Sequence, residues 1–291
     1  TLENANMVVF AKSGSGKSFT VKLEALRSMM LGTEILIIDP ENEYQRLAEA
    51  VGGSYIRLSL NTDIRINPFD IPKVVDTAEA NDALRSNLVT LHGLFRLMLG
   101  GATAQASGGS NMVMPALSPV EEADLDQALI DTYARAGITS DPLTQNVPPP
   151  TINDLYETLL HMGSTGPGLA QRLRKYTTGT FAGIFSQQSN VDINGKMVVF
   201  NIRDLEDELR PVAMYIVLSH IWNRVRAERR RRMLIVDEAW QLMKYDDSAN
   251  FLFSLAKRAR KYYLGLTTIS QDVEDFMSSK MGRAIVANSS I

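Results

Sequence analysis

The chain of 291 residues contains no cysteine, so disulfides and thiolate metal sites are excluded. Histidine is scarce. His92, His161 and His220 lie far apart in apolar or amphipathic stretches, where packing is the expected role of each and a histidine metal cluster is not. No apolar run approaches the length needed to cross a bilayer, so the sequence carries no candidate membrane span. An excess of positive charge is also missing: 30 Lys and Arg against 33 Asp and Glu give a formal net charge of −3. DNA as a partner is therefore unsupported by charge, and only a local basic surface remains open to it. Thr1 does not begin a signal peptide and Ile291 falls in an apolar stretch, so both ends read as fragment boundaries.

What is present is the composition of a soluble globular protein, 45% hydrophobic and 22% charged, long enough for one large α/β domain or a core with a subdomain. Short apolar runs bounded by polar or turn residues recur at Met7 to Ala11, Glu34 to Asp39, Tyr55 to Leu60, Met197 to Ile202, Met233 to Asp237, Leu264 to Ile269 and Ala284 to Ala287. Several are apolar on both faces, which predicts strands of a mostly parallel sheet covered by helices on both sides. A helix is predicted from Lys17 to Leu31, with Val21, Leu23, Leu26, Met29 and Met30 on its apolar stripe and Gly32 as its stop.

Between about residues 74 and 190 the alternation breaks into helical patterns at Asp76 to Leu99, Ser118 to Ala136, Thr151 to Met162 and Pro167 to Tyr176. This predicts a helical insertion, residues 74–190, within a core formed by residues 1–73 and 191–291. Ser118-Pro119-Val120-Glu121 places a hydroxyl at the N-cap, proline at the first helical position and glutamate at the third, and Gly137 ends that helix. Gly100 to Leu117 and Thr139 to Pro150 read as exposed linkers.

Residues 11–18 read AKSGSGKS against the P-loop pattern G-x-x-x-x-G-K-[ST]. Backbone N–H groups of Ser13, Gly14, Ser15, Gly16, Lys17, Ser18 and Phe19 would wrap phosphates at a helix N-terminus. In this reading Lys17 reaches the β- and γ-phosphates, and Ser18 offers its hydroxyl to Mg2+. Ala11 stands where the pattern has its first glycine, which leaves less room at the turn. The run Met233 to Glu238 is four apolar residues ending in two carboxylates. That puts Asp237 at a strand's C-terminal end, where ligands bind in open α/β sheets, as the expected magnesium partner. Glu238 would orient or deprotonate the attacking water.

Three further clusters carry two readings each. Gln271 ends a strand where it could meet a γ-phosphate, while Lys257, Arg258, Arg260 and Lys261 are either a solvated helix end or a source of charge for a neighbouring subunit. The carboxylates of the segment Asp39 to Tyr44 could support the site or a subunit contact, or Asp39 and Pro40 could start a helix from Glu41 to Ala50. Arg229 to Arg232 reads as a solvated helix end rather than a nucleic-acid contact, since Glu228 offsets it and no aromatic ladder accompanies it.

Taken with the phosphate loop, the segments SGSGKSFTVKL (13–23), IDPENEY (38–44), INPFDI (66–71), GTFAGIF (179–185), LIVDEAW (234–240) and RARKYYLGLTTISQ (258–271) resemble the C-terminal motor domain of the large type IV secretion ATPases, the VirB, TraC and TraE-like proteins. The resemblance covers nearly the whole chain. It implies a RecA-like fold of the HerA/FtsK superfamily with an all-α inserted subdomain. It further implies ATP hydrolysis with ATP/ADP and Mg2+, and a homo-hexamer working with other secretion components at the cytoplasmic face of the inner membrane. By motif position Arg260 would be the finger given to a neighbour, with Arg258 the second candidate, and Gln271 the γ-phosphate sensor. A DNA-translocating motor of the coupling-protein type and a non-catalytic nucleotide-dependent scaffold are the alternatives; the acidic balance weighs against the first, and Glu238 with Gln271 against the second.

Overall fold

The computed structural model describes residues 5–12, 16–73, 82–100, 117–271 and 273–290. The chain forms two compact units, Thr1–Ser59 with Asp192–Ile291, and Leu60–Val191. In chain order, β1 (Met7–Phe10), α1 (Lys17–Met30), β2 (Glu34–Asp39), α2 (Gln45–Ala50) and β3 (Ser54–Arg57) precede the second unit. That unit holds α3 (Ala83–Leu99), α4 (Pro119–Arg135), α5 (Ile152–Leu160) and α6 (Gly166–Thr177). The first unit resumes with β4 (Met197–Asn201), α7 (Arg210–Ala227), β5 (Arg232–Val236), α8 (Trp240–Met243), α9 (Asp246–Arg258), β6 (Leu264–Ser270), α10 (Val273–Ser278) and α11 (Lys280–Ala287). Among the described residues, no helix is long and apolar enough to cross a membrane.

The six strands form one sheet in the order β1-β6-β5-β2-β4-β3, parallel at every step. β4 and β5 are buried along their whole length, as the apolar runs 197–200 and 233–236 within them require of strands covered on both faces. Val21 and Ala25 of α1 pack with Ile35, Ile37, Val199, Ile235 and Ile269 in the core. Parallel strands point their carboxyl ends the same way, so the residues after β1, β2, β5 and β6 share one edge of the sheet. β6 lies between the strand entering the phosphate loop and the strand before Asp237; the registers Phe10↔Ser270 and Val236↔Thr268 set their ends level.

Three expectations for this unit are corrected. Residues Ala284 to Ala287 are the last turn of α11, not a strand. The Ser279 hydroxyl caps that helix, accepting from the N–H groups of Met281 and Gly282, and a Cβ at Gly282 would fall 1.9 Å from the Phe276 carbonyl. On α1, Val21 and Ala25 face the core, but Leu23 is exposed and Met30 is 84% exposed, so the buried stripe is narrower than predicted. Finally, α2 starts at Gln45 rather than Glu41, because the Asp39 carboxylate accepts the N–H groups of Glu43 and Tyr44 and holds those residues in a turn.

In the second unit, α4 opens with the predicted capping box: Ser118 accepts from the Glu121 N–H while Glu121 accepts from the Ser118 N–H. Gly137 follows that helix at φ +77°, where a side chain would be strained. The Tyr133 hydroxyl donates to the Phe69 carbonyl and accepts from Asn87, and Phe69 packs its ring on Phe95 and Tyr133. Asn67 donates to the Pro150 carbonyl, and the Ser189 hydroxyl donates to Asp70 at 2.5 Å. These bonds tie residues 66–71 to the helices of the unit Leu60–Val191. The first part of the helix expected from Asp76 and most of the linker at 100–117 lie outside the described residues. The stretch from Thr139 to Pro150 holds a 3-10 turn, Pro142–Asn146, capped by Asp141.

Candidate nucleotide site

The site begins at Gly16, which caps α1 with φ +86°, a conformation open to glycine and strained for side chains. Ser13, Gly14 and Ser15 lie outside the described residues. Lys17 opens the helix and is buried, Ser18 is half-buried, and Phe19 is 72% exposed. Lys17 Nζ lies 3.4 Å from Asp237 Oδ1 and 3.2 Å from Glu238 Oε1. Burial by itself disfavours the lysine's charge, but the two carboxylates outweigh it and hold its pKa above the usual lysine value. At Asp237 burial prevails over the attraction of Lys17, pushing the carboxyl up to about 6.

Glu238 follows directly and has φ +48°, a left-handed conformation that costs a glutamate on the order of 1–3 kcal/mol. Its surroundings hold it there. Its N–H donates to Asp237 Oδ1 at 2.9 Å, and the N–H of Ala239 donates to the Ile269 carbonyl at 2.9 Å, tying the turn to β6. The turned side chain accepts from Gln271 Nε2 at Oε1 and from Trp240 Nε1 at Oε2, each at 2.5 Å. Lys17, Asp237, Glu238 and Gln271 thus converge at the carboxyl edge of the sheet. Such a group suits a phosphorylated ligand: the lysine lies at a helix N-terminus, and its present partners are acidic groups that a phosphate oxygen can replace. Magnesium takes few protein ligands and keeps waters and phosphate oxygens, a donor set that a Ser18 hydroxyl and the Asp237 carboxylate would suit.

The model of the TraG P-loop domain matches residues 1–94 and 169–291. The chain belongs to this family. Over nearly its whole length it is similar to proteins of conjugative and type IV secretion systems. The structure of VirB4 from Thermoanaerobacter pseudethanolicus superposes on this TraG-family domain with a TM-score of 0.84 and 32% identity, covering 99% of this chain and 75% of that one. Protein TraC of Escherichia coli (strain K12) is 25% identical over 290 residues, or 97% of this chain; the chain spans 30% of TraC. The plasmid coupling protein TrwB in complex with ADP and Mg2+ shares the fold, with a TM-score of 0.60 at 13% identity over 98% of this chain and 68% of that one.

The remaining expected residues of this TraG-family domain fall elsewhere. Arg258 ends α9 and Arg260 sits in the 3-10 turn Ala259–Tyr262, both exposed and without an ion pair among the described residues. They precede β6, whereas Gln271 follows it. Seven residues of strand, Leu264–Ser270, at about 3.3 Å each, separate them from their own site by about 20 Å. The arginine run at 229–232 is not all solvated, as had been expected: Arg232 is buried at the start of β5 and bonds Glu34 and Glu228, and Arg230 pairs with the same two carboxylates.

Two neighbours of the site carried no expectation. Tyr44 is fully buried beneath Lys22, and its hydroxyl lies against Asp237 without reaching a hydrogen-bond partner among the described residues. Trp240 is the other; its ring N–H occupies the oxygen of Glu238 that Lys17 and Gln271 leave free. Only their nearness in sequence to Asp39 and Glu238 signals either of them.

Proposed function

We propose that this domain hydrolyses ATP with magnesium, and that the cycle powers conjugative transfer or type IV secretion, through assembly of a channel or pilus or movement of substrate. One observation carries the reading: Lys17, Asp237, Glu238 and Gln271 meet within hydrogen-bond reach at the mouth of the phosphate loop. The relatives to VirB4 and TraC, and the ADP and Mg2+ held by TrwB in the same fold, support it.

In this reading the loop residues Ser13 to Phe19 wrap the phosphates, and Lys17 leaves its carboxylate partners to bind β- and γ-oxygens. Magnesium, when bound, would be held by Ser18 and Asp237 and would offset the charge gathered on the phosphates. Glu238 takes a proton from the attacking water as the water oxygen bonds to the γ-phosphorus, and the electron pair of the broken bond departs with ADP. Gln271 contacts the γ-phosphate or that water. Arg260, with Arg258 as second candidate, lies too far from its own site and serves the site of a neighbour, which calls for a ring, a hexamer by resemblance. Such a ring would work with other secretion components at the cytoplasmic face of the inner membrane.

The test is phosphate release and ATP binding by wild type, Lys17→Ala and Glu238→Gln. Lys17→Ala is expected to lose binding and turnover; Glu238→Gln is expected to bind ATP and not turn it over. Wild-type turnover by Glu238→Gln would remove the base, and wild-type turnover by Lys17→Ala would remove the phosphate site.

A further inference from the structure

Both oxygens of Glu238 are already engaged, and by groups of different kinds. Oε1 accepts from Gln271 and lies 3.2 Å from Lys17, two side chains that can turn to a phosphate. Oε2 accepts from the indole N–H of Trp240, a neutral donor with no charge to draw it to a phosphate. Lys244 Nζ stacks 4.2 Å from the centre of that ring, and Trp240 is the first residue of α8, whose Gln241, Leu242 and Met243 are buried. The left-handed backbone at Glu238 persists only where its surroundings over-determine it, and the Trp240 bond is one of those surroundings.

We infer that Trp240 is a positioning residue for Glu238: its ring N–H keeps Oε2 fixed while ATP draws Lys17 and Gln271 away and opens Oε1 to water. This rests on the proposed role of Glu238 as the base. The arrangement divides the carboxylate in two. One oxygen is guarded by Lys17 and Gln271 and released by the γ-phosphate, so proton abstraction awaits the substrate; the other is never released, so the base does not wander when its guards leave. An indole suits the task because it donates only, carries no charge that would compete for phosphate, and here has the Lys244 ammonium over its ring.

The experiment compares kcat, KM for ATP, ATP affinity and melting temperature for wild type, Trp240→Phe, Trp240→His and Glu238→Gln. Trp240→Phe keeps a ring and loses the donor. Its kcat is expected to fall about tenfold to a hundredfold, as misplacement of a reacting group by about 1 Å does, with KM, affinity and melting temperature unchanged. Trp240→His, which retains a ring N–H, is expected to fall between the two. A Trp240→Phe kcat within twofold of wild type, with Glu238→Gln inactive, overturns the inference and leaves the base in place. Wild-type turnover by Glu238→Gln instead overturns the reading beneath it. A joint loss of kcat, affinity and melting temperature in Trp240→Phe would show a structural role only and also overturns the inference.

A second measurement does not depend on how the Trp240 variants fold. The chain has two tryptophans, and Trp222 is 5% exposed and packed edge-on against Tyr262, away from the site. The difference in emission between wild type and Glu238→Ala therefore reports Trp240. A shifted emission is expected once the acceptor is removed, and superimposable spectra would overturn the inference.

Discussion

Gln271 and Glu238 are joined across two strands: the amide after β6 donates to the carboxylate after β5 at 2.5 Å. The bond links the group that would sense the γ-phosphate to the group that would take the proton. Gln271→Ala is expected to bind ATP nearly as wild type does and to lose about 10²-fold in kcat, the scale of a positioned hydrogen-bonding group in a reacting site. Gln271→Glu sets a second carboxylate against Glu238 and is expected to lose more. Titration of a fluorescent ATP analogue beside steady-state phosphate release separates the two effects, and a Gln271→Ala kcat equal to wild type would detach the amide from the chemistry.

A stability profile against pH tests the burial of Asp237. Its carboxyl sits at about 6 in the fold against 3.8 when free, so between those values the folded chain holds a proton that the unfolded chain has released. Stability from this group therefore falls as pH rises from about 4 to about 6, and the penalty is complete above that. Asp237→Asn, without nucleotide, is expected to be more stable than wild type at pH 7.5 by on the order of 1–3 kcal/mol, with the gain fading below pH 4. Denaturant melts across pH 4 to 8 measure this, and a gain that does not vary with pH would contradict it.

The position of Arg260, at the opposite edge of the sheet from Gln271, predicts complementation between inactive variants. Arg260→Ala has an intact site and nothing to give; Glu238→Gln has an inactive site and an arginine to give. Each alone is expected to lack turnover, and an equimolar mixture at assembling concentration to recover part of it. Recovery that is absent, or turnover by Arg260→Ala alone, would exclude a trans-acting role for this residue.

In the helical unit, Ser118→Ala removes the hydroxyl of the capping box and is expected to cost about 1 kcal/mol in stability. ATP affinity should not change. Thermal melts beside ATP titrations check both, and an unchanged melting temperature would mean the cap contributes nothing.

Much of this was legible in the chain because strong local signals agreed with the fold. Apolar runs on both faces marked β2, β4 and β5, and Ser118 with Glu121 marked α4 to the residue. The misreading at Ala284 to Ala287 has a local cause as well: Ile285 and Val286 favour a strand, whereas the Ser279 cap and the tight approach of Gly282 to Phe276 decide for a helix. Lys17, Asp237, Glu238 and Gln271 could be named as candidates because each lies at a strand's end or a helix's start, and these side chains lie together in the fold. Trp240 and Tyr44 were not, since their contacts arise from a left-handed backbone at Glu238 and from a turn held by Asp39, neither of which has a periodic signature. Arg232 was misread as part of a solvated run because its partner Glu34 is remote in sequence.

β6 has its arginines before one end and Gln271 after the other, and it is bonded on both sides, to β1 and to β5. A strand laddered this way cannot slip by a fraction of a residue; it moves as one piece with the strands beside it. A push received at Arg260 would therefore arrive together at Phe10, where the phosphate loop begins, and at Val236, where the acidic pair begins. Should Arg260 serve a neighbour's site as proposed, the backbone of this one strand would act as the connecting rod by which each subunit sets the timing of the next.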